Sequence, residues 1–282
     1  MNLSLEEQKS DFLFEIKPKS NFSLDLKELK LYSELFYFFT WRDIKIKYKQ
    51  TVLGFFWAVL QPLLLMVIFN FFFGRALAIP SQDIPYPIYV FSGLLIWNIF
   101  SNGLSSSSNS MVHNASIIKK IYFPRLIIPV SSILVALFDF LMALILFIIL
   151  MLFYRQSVSP SIIYLWPVSI VSAVFATMGL GCWLAALNVK YRDFRYVIPF
   201  LIQVMFFLAP VIYPSSLLEF PILQNVLALS PMYLPIELFR APLTSIQPNV
   251  FLLTISGASN LVLLVLGVVY FKKTENYFAD FA

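Results

Sequence analysis

The sequence predicts an all-α, polytopic membrane protein with six transmembrane helices, an N-terminal amphipathic interface helix and re-entrant outer helices before the last crossing. Three observations carry that reading. Only 12% of the 282 residues are charged, 60% are hydrophobic and the mean hydropathy is +0.81. A soluble domain carries about 25% charged residues, so this chain lacks the charge to coat a water-facing surface. Six apolar runs approach the ~20 residues that a helix needs to cross a hydrocarbon core of ~30 Å. These runs are continuous rather than alternating at period two, which excludes the strands of a membrane β-barrel.

In chain order the crossings are expected at Gly54 to Phe73, Ile88 to Met111, Leu126 to Phe153, Ile162 to Leu187, Val197 to Tyr213, and Val250 to Phe271. The second fades into a polar tail, Ser105 to Ser108, and the fifth is short and contains Pro199 and Pro210. Residues 1–27 read as a cytoplasmic segment, too polar and charged for a cleaved signal peptide, so the first crossing serves as the insertion signal. Residues 28–50 place Leu31, Leu35, Phe38 and Phe39 at helical spacing, then alternate Ile44, Ile46 and Tyr48 with Lys45, Lys47 and Lys49. A lone strand at a membrane surface would leave its backbone unpaired. An amphipathic helix in the interface is therefore expected, its lysines reaching to headgroups. Residues 51–282 form the transmembrane domain. Within it, Pro214 to Asn249 is apolar but broken by Pro214, Pro221, Pro231, Pro235, Pro242 and Pro248. Neither half can span, so two short helices dip into the outer leaflet and return, a geometry allowed where their exposed backbone faces protein or water.

Orientation follows from the basic residues. Of the twenty Lys and Arg, only Arg75, Arg155 and Arg240 fall on one side of this scheme; the rest lie in the N-terminal segment, the second and fourth loops and the tail. Both termini are thus expected in the cytoplasm, and the net charge of +5 is a topology signal rather than a nucleic-acid footprint.

Several chemistries lack candidates. None of the eight glycines precedes a lysine, so no phosphate-cradling loop G-x-x-x-x-G-K-[ST] is present and the chain is not expected to hydrolyse ATP. The single Cys182 and single His113 exclude a disulfide framework and a multi-cysteine or His-rich metal site, so neither a metal nor a cofactor is expected on this chain. Asp139, near the middle of the third crossing, is costly at a helix centre by about 2.5 to 3.5 kcal/mol and must face other helices or water. It is read as a structural Asp, protonated or hydrogen-bonded to a neighbouring helix, with an ion-coupling site of a secondary transporter as the rival. A membrane-embedded glycan enzyme is a further rival without an identifiable acid and base.

Four stretches carry a resemblance: WRDIKIKYKQTVLGFFWAVLQP from Trp41 to Pro62; GLLIWNIFSNG, then NASIIKKIYFPR, between Gly93 and Arg125; NVKYRDFRYVIPFLIQVMFFLAPVIYP from Asn188 to Pro214; and SPMYLPIELFR from Ser230 to Arg240. They resemble the permease subunit of ABC-2 type exporters, specifically the polysaccharide and polyol-phosphate exporters that move O-antigen, capsule or teichoic-acid chains. The resemblance implies a homodimer in the bacterial inner membrane, paired with two copies of a separate ATPase that binds ATP and magnesium, and a path for a lipid-linked glycan. It places the ATPase-coupling helix on Asn114 to Arg125. There Ile117, Ile118, Ile121, Tyr122 and Phe123 offer an apolar anchor, and Lys119, Lys120 and Arg125 can meet acids on the partner.

Aromatic rings stack on sugar faces, so Phe55, Phe56, Trp57, Phe69, Trp97, Phe100, Phe206 and Phe207 are the expected path lining. Asn98, Ser101 and Asn102 supply hydrogen bonds there. With no Lys or Arg in the crossings, such a path suits a long neutral or weakly acidic glycan better than a small ion. Glu237 and Arg240, three apart in the outer segment, are expected to pair on one helical face near an outer gate, or to touch passing substrate. Export of a drug, peptide or plain lipid by the same scaffold is the alternative.

Overall fold

The computed structural model describes residues 30–49, 54–275 except 82, 192 and 219, and residue 278; the side chain of Phe55 and the expected N-terminal segment 1–27 lie outside the described residues. The regular elements among the described residues are all helical. α1 spans Ser33–Lys49 and α2 Gly54–Phe69, which runs into a π-helical turn, Asn70–Ala76. α3 is Tyr86–His113, α4 the single turn Ala115–Ile118, α5 Ile127–Phe153, and α6 Ile162–Lys190. α7 is Phe194–Leu208, α8 Pro221–Ala228, α9 Tyr233–Arg240, and α10 Val250–Thr274. Among the described residues five helices are long and apolar enough to cross a membrane (α2 with its π turn, α3, α5, α6 and α10), and the chain is a multi-pass membrane protein.

α3 is the central helix. Burial covers 78% of its apolar window against 11% for α2, so α3 packs against α5 and α6 while α2 lies on the outside. α6 and α10 cross backbone to backbone. A Cβ on Gly267 would lie 1.8 Å from the carbonyl oxygen of Gly179, so neither helix tolerates a side chain at the crossing.

Two expectations are corrected by this arrangement. The expected fifth crossing, Val197 to Tyr213, is the 15-residue α7, which begins three residues earlier and stops at Leu208. At ~1.5 Å per residue it falls short of a ~30 Å core. Pro210 is the reason: its ring disfavours helical geometry in the residue before it, and Ala209 is extended at φ −100°, ψ 145°. Residues 209–212 continue the crossing as buried irregular chain, and the Tyr86 hydroxyl at the start of α3 donates to the Ile212 carbonyl, so the fifth crossing is completed by non-helical backbone rather than by the helix expected. The second correction concerns α1, which does not simply lie with its lysines pointing away. It runs along α5, with Phe39 packed on Phe123 at 5.6 Å and Tyr48 on Phe138 at 5.9 Å, and Lys47 turns inward. The expected outer turn-back is present: α8 and the helical stretch Tyr233–Leu243 meet at 97°.

Candidate functional site: a polar tract at one end of the bundle and an arginine clamp at the other

Asp139 on α5 is buried and has two partners from α1: Lys47 Nζ donates to Oδ2 and the Tyr48 hydroxyl donates to Oδ1. The structural reading of Asp139 therefore finds its partner, yet on the amphipathic helix rather than on a crossing. Burial, then the hydrogen bond to the Asp139 carboxylate, pushes the Tyr48 phenol well above its ordinary value. Sequence reasoning missed this contact because a residue 91 positions earlier in the chain leaves no local signal.

Lys47 borders two cavities. One, of about 610 Å³, is lined by Arg42, Ser105, Ser106, Asn109, His113 and Ser132, among others. The deeper one, of about 110 Å³, holds Trp57, Gln61, Asn98, Asn102 and Asp139. Together they form a hydroxyl- and amide-rich tract at the end of α3 that carries the Asn114–Arg125 loop. The serine run read as a fading crossing is helical to His113. Ser107, Ser108 and Ser110 are buried, and the amide of Asn188 donates to the Ser108 carbonyl and to Asn109 Oδ1 at 2.9 and 3.0 Å. An uninterrupted polar stripe on an otherwise apolar helix is the signal that marked this tract. The expectation of a region without fixed charge is corrected, since Arg42 and Lys47 reach it from α1.

The expected aromatic lining divides. Phe69, Phe206, Trp97 and Phe100 form a chain of ring contacts joining α2, α7 and α3, with centroids 5.2 to 5.9 Å apart. Phe100 is fully buried and Trp97 nearly so, which makes them core here and not lining. Ser101 is half-buried and borders neither cavity. Phe56 and Phe207 are exposed on the outside, and Trp57, Asn98 and Asn102 are the expected residues that, among those with described side chains, line the deeper cavity.

The loop after α3 also divides. Ile118 and Phe123 are buried in a cluster with Phe39, Phe271 and Phe278, so they anchor the loop to its own chain. Ile117 is half-buried. Asn114 is tied down as well, accepting from Arg42 Nη2 at 2.8 Å and donating to the Ser110 carbonyl. Arg125 donates through its backbone N–H to Glu275 Oε1 at 3.0 Å and through Nη1 to the Glu275 carbonyl, so it is held by the end of α10. What the loop presents is Lys119, Lys120, Ile121 and Tyr122, the last two 62% and 74% exposed.

At the opposite end of α3, the expected surface pair of Glu237 and Arg240 is not found. Arg240 is 1% exposed. Its Nε donates to Ser92 Oγ at 3.2 Å, Nη1 to the Tyr89 hydroxyl and the Pro210 carbonyl, and Nη2 to the carbonyls of Tyr89 and Val211 at 3.0 and 2.7 Å. A guanidinium has five N–H donors, and all five are used. The guanidinium also stands 3.7 Å from the Tyr89 ring centroid. None of the five is left for Glu237, whose Oε1 is buried without a partner. The physical cause is the break after α7. Irregular backbone amid apolar side chains must have its carbonyls satisfied from within the protein, and Arg240 supplies donors to two of them. Gly93 permits this approach, since a Cβ there would lie 2.3 Å from Arg240 Nη2.

The comparisons with known proteins agree with this architecture. The family model described as ABC-2 type transporter matches residues 34–244. An O-antigen export system permease protein RfbA of Myxococcus xanthus is 29% identical over 258 residues, covering 90% of this chain and 98% of its own length. The protein of the same name from Klebsiella pneumoniae is 28% identical over 241 residues, covering 85% of this chain and 91% of its own. The polysialic acid transport protein KpsM of Escherichia coli is 23% identical over 181 residues, 61% of this chain and 67% of its own. With three quarters of its length matched by the family model, this chain belongs to the ABC-2 type transporter family.

Proposed function

We propose that the chain is the permease subunit of an ATP-driven exporter that moves a lipid-linked, O-antigen-like cell-surface polysaccharide across the bacterial inner membrane. It works as a homodimer with both termini in the cytoplasm and is driven by two copies of a separate ATPase, which bind the ATP and magnesium. The observation that carries the reading is the polar tract beside Lys47 and Asp139. Hydroxyl and amide groups of Ser105, Ser106, Asn109, Asn98 and Asn102 suit the many hydroxyls of a sugar chain and would be costly in a bundle that met only lipid. The relatives named for O-antigen export and polysialic acid transport support the same substrate class. Exposed Ile121 and Tyr122, flanked by Lys119 and Lys120, support docking to the ATPase, because bulky apolar side chains in a short loop otherwise stand in water.

The test is genetic and biochemical. Deleting the gene is expected to remove the polysaccharide from the cell surface while lipid-linked glycan accumulates inside, and restoring the chain is expected to return it. Co-purification should recover an ATPase. Unchanged surface glycan in the deletion strain overturns the proposal.

A further inference from the structure

A small cavity lies beside the arginine clamp, distant from the polar tract, at the end of the molecule that the proposed orientation makes external. Its volume is about 180 Å³, the scale of one pyranose ring, and it is lined by Glu237, Ser215, Ser216, Gln224, Tyr233 and Asn249, with Arg240 at its wall. We infer that this cavity is a binding site for a single neutral hexose unit of the exported chain, with the Glu237 carboxylate accepting from adjacent sugar hydroxyls.

The argument starts from Glu237. Its side chain is 5% exposed, and Oε1 has no hydrogen-bond partner. A buried carboxylate oxygen without a partner is costly, and such groups are normally satisfied. The nearest cation does not satisfy it, because Arg240 commits every donor elsewhere. The rest of the lining joins an apolar wall of Ala241, Ile246, Pro248 and Leu252 to side chains that both give and take hydrogen bonds. Ser215 and Tyr233 are hydroxyls 3.4 Å apart, Gln224 donates to the Leu218 carbonyl and keeps its oxygen, and Asn249 accepts from the Phe251 N–H and keeps its amide hydrogens. Acceptors and donors thus alternate around one carboxylate, which matches vicinal hydroxyls that both give and take hydrogen bonds.

The same inventory excludes other ligands. An acidic sugar or phosphate would face Glu237 with no uncommitted cation in the lining to meet it. Glu237 is also the only acid among the described lining residues, and one carboxylate does not make a divalent-cation site.

The inference rests on the proposed function for its ligand, so the test separates the two. The full chain in lipid nanodiscs is titrated with methyl glycosides of neutral hexoses and with methyl glucuronide, and binding is read by saturation-transfer NMR. A neutral glycoside is expected to bind, and the glucuronide at least about tenfold more weakly. Glu237→Gln, which keeps the shape but removes the charge, is expected to weaken neutral binding about tenfold. Ser216→Trp, placed at an exposed position of the rim, fills the cavity without touching the clamp and is expected to abolish it. Ser216→Trp keeps the test decisive where Glu237→Gln lowers the yield of folded protein. Absence of neutral-glycoside binding to the unaltered chain, equal binding of the glucuronide, or binding that survives Ser216→Trp overturns the site. Surface glycan in the deletion and restored strains is scored in parallel. Normal export without glycoside binding removes the site and leaves the permease, whereas unchanged surface glycan on deletion removes the permease reading itself.

Discussion

Arg240 and Lys47 both reach the interior of this bundle, and they are held in opposite ways. Arg240 is closed off from water, and its five donors end on one ring hydroxyl, one serine and three backbone carbonyls. Lys47 has a side chain 45% exposed and shares Asp139 with Tyr48 at the border of two cavities. The difference follows from what each cation must satisfy. Carbonyls freed by the break after α7 have no alternative partner, so removing Arg240 strands them; water can reach Lys47, and Asp139 keeps the Tyr48 hydroxyl when the ammonium leaves, so this contact separates more readily than the clamp. A fixed joint at one end and a separable contact at the other is the arrangement a transporter needs if its inner half moves against a held outer half.

The largest effect is expected where the joint is broken. Arg240→Ala strands the buried carbonyls of Pro210 and Val211, each worth about 1–3 kcal/mol when left unpaired, and should lower the yield and the melting temperature of the purified protein severely. Arg240→Lys keeps the charge but offers three donors instead of five and no planar fork, so it should recover only part of the loss. Gly93→Ala should act in the same direction, because its Cβ displaces Nη2. An Arg240→Lys protein as stable as the unaltered one would mean the clamp is not a joint at all.

The loop after α3 sharpens the comparison, since neighbouring aromatics have opposite duties. Phe123, 4% exposed and packed on Phe39, belongs to the fold, and Phe123→Ala should cost about 3–5 kcal/mol of stability. Ile121 and Tyr122 are presented outward. The pair Ile121→Ala and Tyr122→Ala should leave insertion and melting unchanged yet release the ATPase during purification and stop export, since exposed anchors at an interface are each worth about 2 kcal/mol. Retained ATPase with normal export would remove this loop from the coupling element.

The long crossings were legible in the sequence to within a few residues, because twenty continuous apolar residues leave few alternatives. The turn-back in the outer segment was legible from its prolines. The site was less so. Which of the five apolar residues in Ile117–Phe123 faces outward depends on α1 and the end of α10, packed from distant parts of the chain. Arg240 was read as a surface partner of Glu237 from a spacing of three, whereas its position is set by carbonyls 29 and 30 residues earlier. Composition identifies groups that are expensive inside a membrane; only the tertiary fold says who satisfies them.

Asp139 tests the separable contact. Asp139→Asn keeps the shape and a hydrogen-bond acceptor for Tyr48, and leaves Lys47 with access to water, so neither partner is stranded and export should fall by less than about tenfold. Asp139→Leu removes both bonds and should loosen α1, detected as faster proteolysis between α1 and α2. The pH dependence has a definite sign. The Tyr48 phenol is raised above its ordinary value of 10, so its bond to Asp139 contributes fully below pH 10 and is lost only as the pH rises through the higher, folded value. Proteolytic resistance of α1 should therefore be flat from neutral pH to about 10. A loss of resistance near neutral pH would assign the contact to a different group.

The smallest effect is expected at Lys119 and Lys120, and it distinguishes a docking loop from a mere topology signal. Both are exposed on the rim of the Ile121–Tyr122 patch, and neither takes part in an ion pair among the described residues. Rim charges steer association and lose their influence within a Debye length of about 8 Å at physiological salt. Lys119→Glu with Lys120→Glu should weaken ATPase retention several-fold at low salt and scarcely at high salt, with melting unchanged because no internal bond is lost. If the bases serve topology alone, the reversed protein should instead insert with altered orientation, read by protease accessibility of the loop in sealed vesicles, and its ATPase retention should not respond to salt. A salt-dependent loss in correctly oriented protein places these lysines at the rim of the same interface whose centre Ile121 and Tyr122 form.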